Sequence, residues 1–105
     1  MTAEELERQL KSGLAPLILD VRSDFEFRSG HIKGAIHAPL ANILKKTEAV
    51  SSDKGDLLVL LCEHGPRARL ASILLRWHGY KNLELLTGHM TYWRQSGRAV
   101  VKGQQ

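Results

Sequence analysis

Hydrophobic and polar positions follow two rhythms along this chain. Leu57 to Leu61 is an unbroken apolar run of strand length. It lacks polar alternation, which predicts a strand buried on both faces, as in a parallel sheet under helices. The run delivers Cys62, and Glu63, His64, Gly65 and Pro66 make a short loop. From Arg67 the period lengthens. Leu70, Ile73, Leu74 and Trp77 repeat with helical spacing and predict one buried face. Ala71 and Leu75 widen it, and Arg69, Ser72 and Arg76 lie opposite. Gly65 can take backbone angles closed to other residues, and Pro66 suits a first helical position.

The flanking segments alternate in the same way. Thr2 and Glu5 form a capping box for a helix with Leu6, Leu10 and Leu14 on its apolar side, ended by Gly13. Pro16 leads into a strand, Leu17 to Val21, interrupted by Asp20 and followed by Arg22; an acid there needs a partner if buried, and an internal Asp20–Arg22 bridge is expected. Asp24 caps a short helix through Arg28, with Phe25 and Phe27 offering apolar faces and Ser29-Gly30 ending it. Gly34 to Ala38 reads as extended, stopped by Pro39. Leu40 to Ala49 is helical through Leu40, Ile43 and Leu44, with Lys45, Lys46 and Glu48 solvated. Ser51 to Asp56 is a loop. Gly79 stops the helix after Cys62, and Leu83 to Leu86 makes another strand. Thr87-Gly88 turns into a helix that buries Met90, Trp93 and Tyr92 and ends at Gly97. Ala99 to Val101 adds a short edge piece.

Strands alternating with helices predict an α/β layered domain with a mostly parallel central sheet and helices on both faces. At 105 residues there is room for one core. The single cysteine excludes an internal disulfide and argues against thiolate zinc. An exposed thiol favours a reducing, cytoplasmic setting. Acidic Glu4 and Glu5 near the start do not read as a signal peptide, and no apolar run approaches a membrane span. The net charge is +4, but the basic residues are scattered. That points away from nucleic acid and toward a mild field that draws small anions.

Cys62 carries the chemistry. The pattern sets it at the carboxyl end of a central strand, where open α/β sheets bind ligands. The loop after it aims backbone N–H groups at the sulfur, and the helix start adds partial positive charge. An ordinary cysteine titrates at about 8.5, and a helix start with arginine nearby can bring that to roughly 3.5–7.5.

Cys62-Glu63-His64-Gly65-Pro66-Arg67 resembles the Cys-x-x-Gly-x-Arg active-site loop of the rhodanese, or sulfurtransferase, family. Leu19-Asp20-Val21-Arg22, Phe25-Glu26-Phe27 and Gly30 through Pro39 resemble its amino-terminal signature. Leu86-Thr87-Gly88 with Tyr92-Trp93 resembles its carboxy-terminal one. The matches keep family order from about Leu6 to Gly97 within a single domain spanning residues 1–105.

The resemblance implies a compact single-domain rhodanese fold and sulfur transfer without metal or organic cofactor. Cys62 would attack the outer sulfur of thiosulfate, carry a persulfide and pass the sulfur to cyanide or a thiol. Glu63, His64, Gly65, Arg67 and Ala68 would supply the N–H cradle, and Arg67 and Arg69 would steer the sulfonate. Asp20, Arg22 and His31 would shape the surroundings, with His31 holding its loop. Cys62 and Arg67 enclose four residues, one fewer than in phosphatases of this fold, which favours sulfur over phosphoryl transfer.

Several residues depart from the family pattern. Pro66 cannot donate an N–H, and Ala68 stands where a hydroxyl is common. Glu63 brings negative charge beside the nucleophile, and His89 follows Gly88 where a second glycine is common. These departures keep two other readings open. One is a persulfide carrier or redox-sensing module, served by a donor or acceptor protein and turning over thiosulfate poorly. The other is an idle rhodanese-like binding domain.

Overall fold

A computed structural model describes residues 1–45 and 53–103. Four short parallel strands form one sheet in the order β2-β1-β3-β4. They are β1 (Leu17–Asp20), β2 (Ile36–His37), β3 (Leu58–Leu61) and β4 (Leu83–Leu85). The helices are α1 (Ala3–Ser12), α2 (Asp24–Ser29), α3 (Leu40–Lys45), α4 (Pro66–Trp77) and α5 (His89–Gln95). Strand β3 pairs with β1 in the register Leu17 to Leu58 through Asp20 to Leu61. Its other neighbour is β4, with Leu58 opposite Leu83. The strand that ends at Cys62 is therefore interior, as its unbroken apolar run requires.

Side chains of β3 alternate between two cores. Val59 and Leu61 pack with Ala3, Leu6, Phe27, Met90 and Trp93, beneath α1, α2 and α5. Leu58, Leu60 and Cys62 pack with Ile43, Ala68, Ala71, Leu75 and Tyr80, beneath α3 and α4. The expected three-layer arrangement is present, and among the described strands the sheet is entirely parallel.

Local signals mostly act where the sequence puts them. Thr2 and Glu5 make the capping box on α1, and Gly13 closes it at φ 77°. Pro66 opens α4. The capping residue of α2 is Ser23, boxed with Glu26, rather than Asp24. The first and last strands stop one residue short of expectation, at Asp20 and Leu85. Of the extended piece from Gly34 to Ala38, only Ile36 and His37 pair as strand. Val101 makes an antiparallel bridge with His31, the short edge piece expected near the end. The proposed continuation of α3 through Ala49, with Lys46 and Glu48, lies outside the described residues.

The buried face of α4 differs from expectation. Ala68, Ala71 and Leu75 are fully buried, while Leu70, Ile73 and Trp77 are exposed. Helical spacing fits either set, and the close approach of α4 to the sheet and α3 selects the stripe that contains two alanines. Leu14 and Phe25 are also exposed, and Tyr92 is 42% exposed, so only Met90 and Trp93 of the expected trio anchor α5.

Candidate functional site

Cys62 leaves the end of β3 and enters the loop before α4. Its Sγ accepts the Gly65 N–H at 2.9 Å. Gly65 has φ 125°, a left-sided conformation that glycine reaches freely, and Pro66 then starts the helix. The residues expected around the sulfur thus fold into a tight turn. Among the described residues, Gly65 supplies the backbone N–H bonded to Sγ; Glu63, His64, Arg67 and Ala68 do not share that role. Ala68 is buried beside Cys62 in the core under α4.

Cys62 is fully buried, where the sequence suggested an exposed thiol. The apolar cluster of Leu19, Val21, Leu60 and Ala68 receives it, and the turn closes over it.

The guanidinium of Arg67 is already paired. Its two terminal nitrogens donate to both oxygens of Glu26 on α2, at 2.6 and 2.9 Å. Chiefly through these bonds, the Glu26 carboxyl falls from its usual 4.5 to about 2. Arg69, the second expected anion guide, points out from α4 and is exposed.

Glu63 is likewise drawn into a pairing network. It accepts from Arg22, Arg94 and Thr91. Burial pushes its carboxyl up, and the hydrogen bond and charge of Arg94, with Thr91 and Arg22, outweigh that and hold it below the usual value. Its charge is therefore matched by two guanidiniums. His64 meets the Thr91 hydroxyl at 3.1 Å. Arg22, Glu26, Glu63 and Arg94, with Phe25, Ser29, Gly30 and Val100, line a cavity of about 250 Å³ beside the loop.

The expected Asp20–Arg22 bridge is present and buried, with Nη2 of Arg22 2.7 Å from Oδ2 of Asp20. Arg22 also donates to the Gly30 carbonyl, so it ties β1 to the end of α2. His31 is buried, bonds the Phe27 carbonyl through Nδ1 and stacks on the Phe27 ring at 3.7 Å. It holds its loop, as the resemblance implies.

Two contributors were not picked out by sequence. Glu26 looked like part of a signature, and its pairing with Arg67 spans 41 positions. His89 looked like a local packing change. Its Nδ1 accepts the Cys62 N–H at 3.2 Å, and the Met90 N–H donates to the Cys62 carbonyl at 3.1 Å.

The Rhodanese-like domain model matches residues 2–96. The chain belongs to the rhodanese-like family. Its fold superposes on a rhodanese-related protein from Thermoplasma volcanium with a TM-score of 0.84 and 28% identity, covering 98% of this chain and 97% of that one. The thiosulfate sulfurtransferase GlpE of Haemophilus influenzae is 29% identical over 73% of this chain and 71% of its own. YrkF of Bacillus subtilis, a candidate sulfur carrier, is 26% identical over 89% of this chain, which spans 49% of YrkF. The relatives of this chain therefore include proteins named for sulfur transfer and for sulfur carriage.

Proposed function

We propose that this rhodanese-like domain transfers sulfane sulfur through a persulfide on Cys62. The observation that carries the reading is the cysteine at the end of an interior parallel strand, its Sγ bonded to the Gly65 N–H at the start of α4. The thiolate of Cys62 attacks the outer sulfur of thiosulfate. The S–S bond of the donor breaks, sulfite leaves with that electron pair, and Cys62 keeps an anionic persulfide. Cyanide or a thiolate then attacks the outer persulfide sulfur and returns Cys62 as thiolate. The Gly65 N–H donates to Sγ, which carries the negative charge before sulfur is accepted and after it is passed on. Cys62 is covered, so this reading requires an opening beside the turn that leaves the Gly65 N–H on Sγ.

A second reading has its own support. Arg67 is occupied by Glu26, and Arg22 and Arg94 by carboxylates. A dianionic donor meets no uncommitted guanidinium among these three. That favours a persulfide carrier or redox module, loaded by a protein or small-molecule persulfide and slow with thiosulfate.

The test is mass analysis of Cys62 after exposure to thiosulfate and, separately, to a low-molecular-weight persulfide, alongside thiocyanate formation from thiosulfate and cyanide. Sulfur transfer predicts a gain of one sulfur atom on Cys62 and thiocyanate turnover, both lost in Cys62→Ser. Loading by the persulfide donor alone supports the carrier. No loading by either refutes both.

A further inference from the structure

The start of α5 grips the backbone around the nucleophile with three successive residues. The His89 ring accepts the Cys62 N–H, the Met90 N–H donates to the Cys62 carbonyl, and the Thr91 N–H donates to the Glu63 carbonyl. The last two bonds are made by main chain and are available to any sequence. The first depends on one side chain, and that side chain sits on a backbone that disfavours it. His89 has φ 52°, the one described non-glycine residue with positive φ. Such a conformation is uncommon outside glycine and, beside a nucleophile, calls for a compensating role.

The hydrogen bonding supplies one. A nitrogen that accepts an N–H carries no proton, so the His89 ring is neutral with its proton on Nε2. Burial, and to a lesser degree the charge of His64, lower its tendency to protonate and keep it in that state. The Nε2 edge rests against Gly65: a Cβ added there would lie 3.0 Å from it. Gly65 in turn donates to Sγ. One imidazole therefore touches both ends of the turn that encloses the sulfur. Glycine at this position would relax the backbone and leave the buried Cys62 N–H without its acceptor.

We infer that His89 is a positioning residue for Cys62, fixing the Cys62 backbone through Nδ1 and supporting Gly65 from below, so that Sγ and the Gly65 N–H stay aligned for sulfur acceptance. This rests on the reading of Cys62 as the sulfur acceptor.

Two substitutions separate positioning from packing. His89→Gly removes the acceptor and suits the positive φ. His89→Asn tolerates positive φ and offers a side-chain carbonyl at the place of Nδ1. The rate of persulfide formation on Cys62 from thiosulfate, or from a low-molecular-weight persulfide if thiosulfate fails, is expected to fall at least tenfold in His89→Gly. It is expected to stay within threefold of the parent in His89→Asn. Equal rates in the parent and His89→Gly, or an Asn variant as slow as the Gly variant, overturn the inference.

A second readout needs no sulfur chemistry. Nitrogen NMR of the intact protein is expected to find Nδ1 of His89 unprotonated at neutral pH. Amide exchange at Cys62 is expected to be protected in the parent and in His89→Asn, and fast in His89→Gly. A protonated Nδ1, or unchanged protection in the Gly variant, refutes the positioning role. If the parent takes sulfur from neither donor, the functional reading fails, and the amide measurement still decides His89.

Discussion

Replacing Glu26 by glutamine is expected to destabilise this domain and improve its response to thiosulfate. Both oxygens of Glu26 accept from Arg67, and glutamine keeps the size and the capping interaction with Ser23 while losing the charge. The fall of the carboxyl from 4.5 to about 2, at about 1.4 kcal/mol per unit, sets a ceiling of about 3 kcal/mol. Glu26 is 29% exposed and Arg67 38% exposed at the side chain. Solvent screening reduces the ceiling to roughly 1–2 kcal/mol, a fall in Tm of about 5–10 °C for a domain of this size.

The carboxyl of Glu26 is held below its unfolded value. Its contribution is therefore fully present above about pH 4.5 and is lost as the pH falls toward 2. The parent should lose stability across that window more steeply than Glu26→Gln. The freed Arg67 then faces a dianion. One partly exposed guanidinium contributes about 1 kcal/mol there, or roughly a fivefold lower KM for thiosulfate. Thermal melts in a pH series and thiosulfate–cyanide kinetics measure the two effects. A Tm unchanged within 1–2 °C, as expected of a pair contributing nothing, together with an unchanged thiosulfate KM, refutes the reasoning.

Three other perturbations test separate parts of the site. Asp20→Asn leaves Arg22 buried with much of its compensation gone and should cost about 3 kcal/mol in chemical denaturation; a loss under 1 kcal/mol contradicts a structural bridge. Gly88→Ala would put a Cβ 2.4 Å from the Tyr92 Cβ at φ 81°, which neither backbone can absorb cheaply. A loss of about 2–4 kcal/mol is expected, and thermal denaturation close to the parent's would show that α5 can shift. Burial holds the His89 ring below its ordinary value of 6.5, so the unfolded chain binds the extra proton first. Stability should therefore fall as pH drops below about 6.5, and His89→Asn should flatten that part of the curve; an identical slope in both proteins counts against a buried neutral ring.

Sequence carried the fold a long way because its strongest signals were local. The run ending at Cys62, the box at Thr2, and glycines such as Gly13 act over a few residues. The face of α4 was less legible, since alanine adds little to a periodic pattern until helix and sheet are known to approach closely. At the site, the cysteine at the strand end, the Gly65 turn, the Asp20–Arg22 bridge and the hydrogen bond that holds the His31 loop were readable from nearby residues and the family pattern. The partners of Arg67, Glu63 and Cys62 were not. Glu26, Arg94 and His89 lie 41, 31 and 27 positions away from them, and no local rhythm encodes such pairings.

Charge balance links these distant contacts to the choice of donor. Arg22, Arg67 and Arg94 surround the loop, and Asp20, Glu26 and Glu63 neutralise them. The three pairs differ in depth. Arg22 and Asp20 are sealed in, and displacing Asp20 would strand a buried charge. Arg67–Glu26 and Arg94–Glu63 are both partly open to water, and Glu63 is held by Arg22 and Thr91 as well, so the Arg67–Glu26 pair yields first to an incoming anion. A donor with two negative charges gains most from that exchange, whereas a persulfide with one gains less. Glu26→Gln should therefore narrow the gap between thiosulfate and a low-molecular-weight persulfide as donors. Equal acceleration with both would place the barrier in the turn over Cys62 instead.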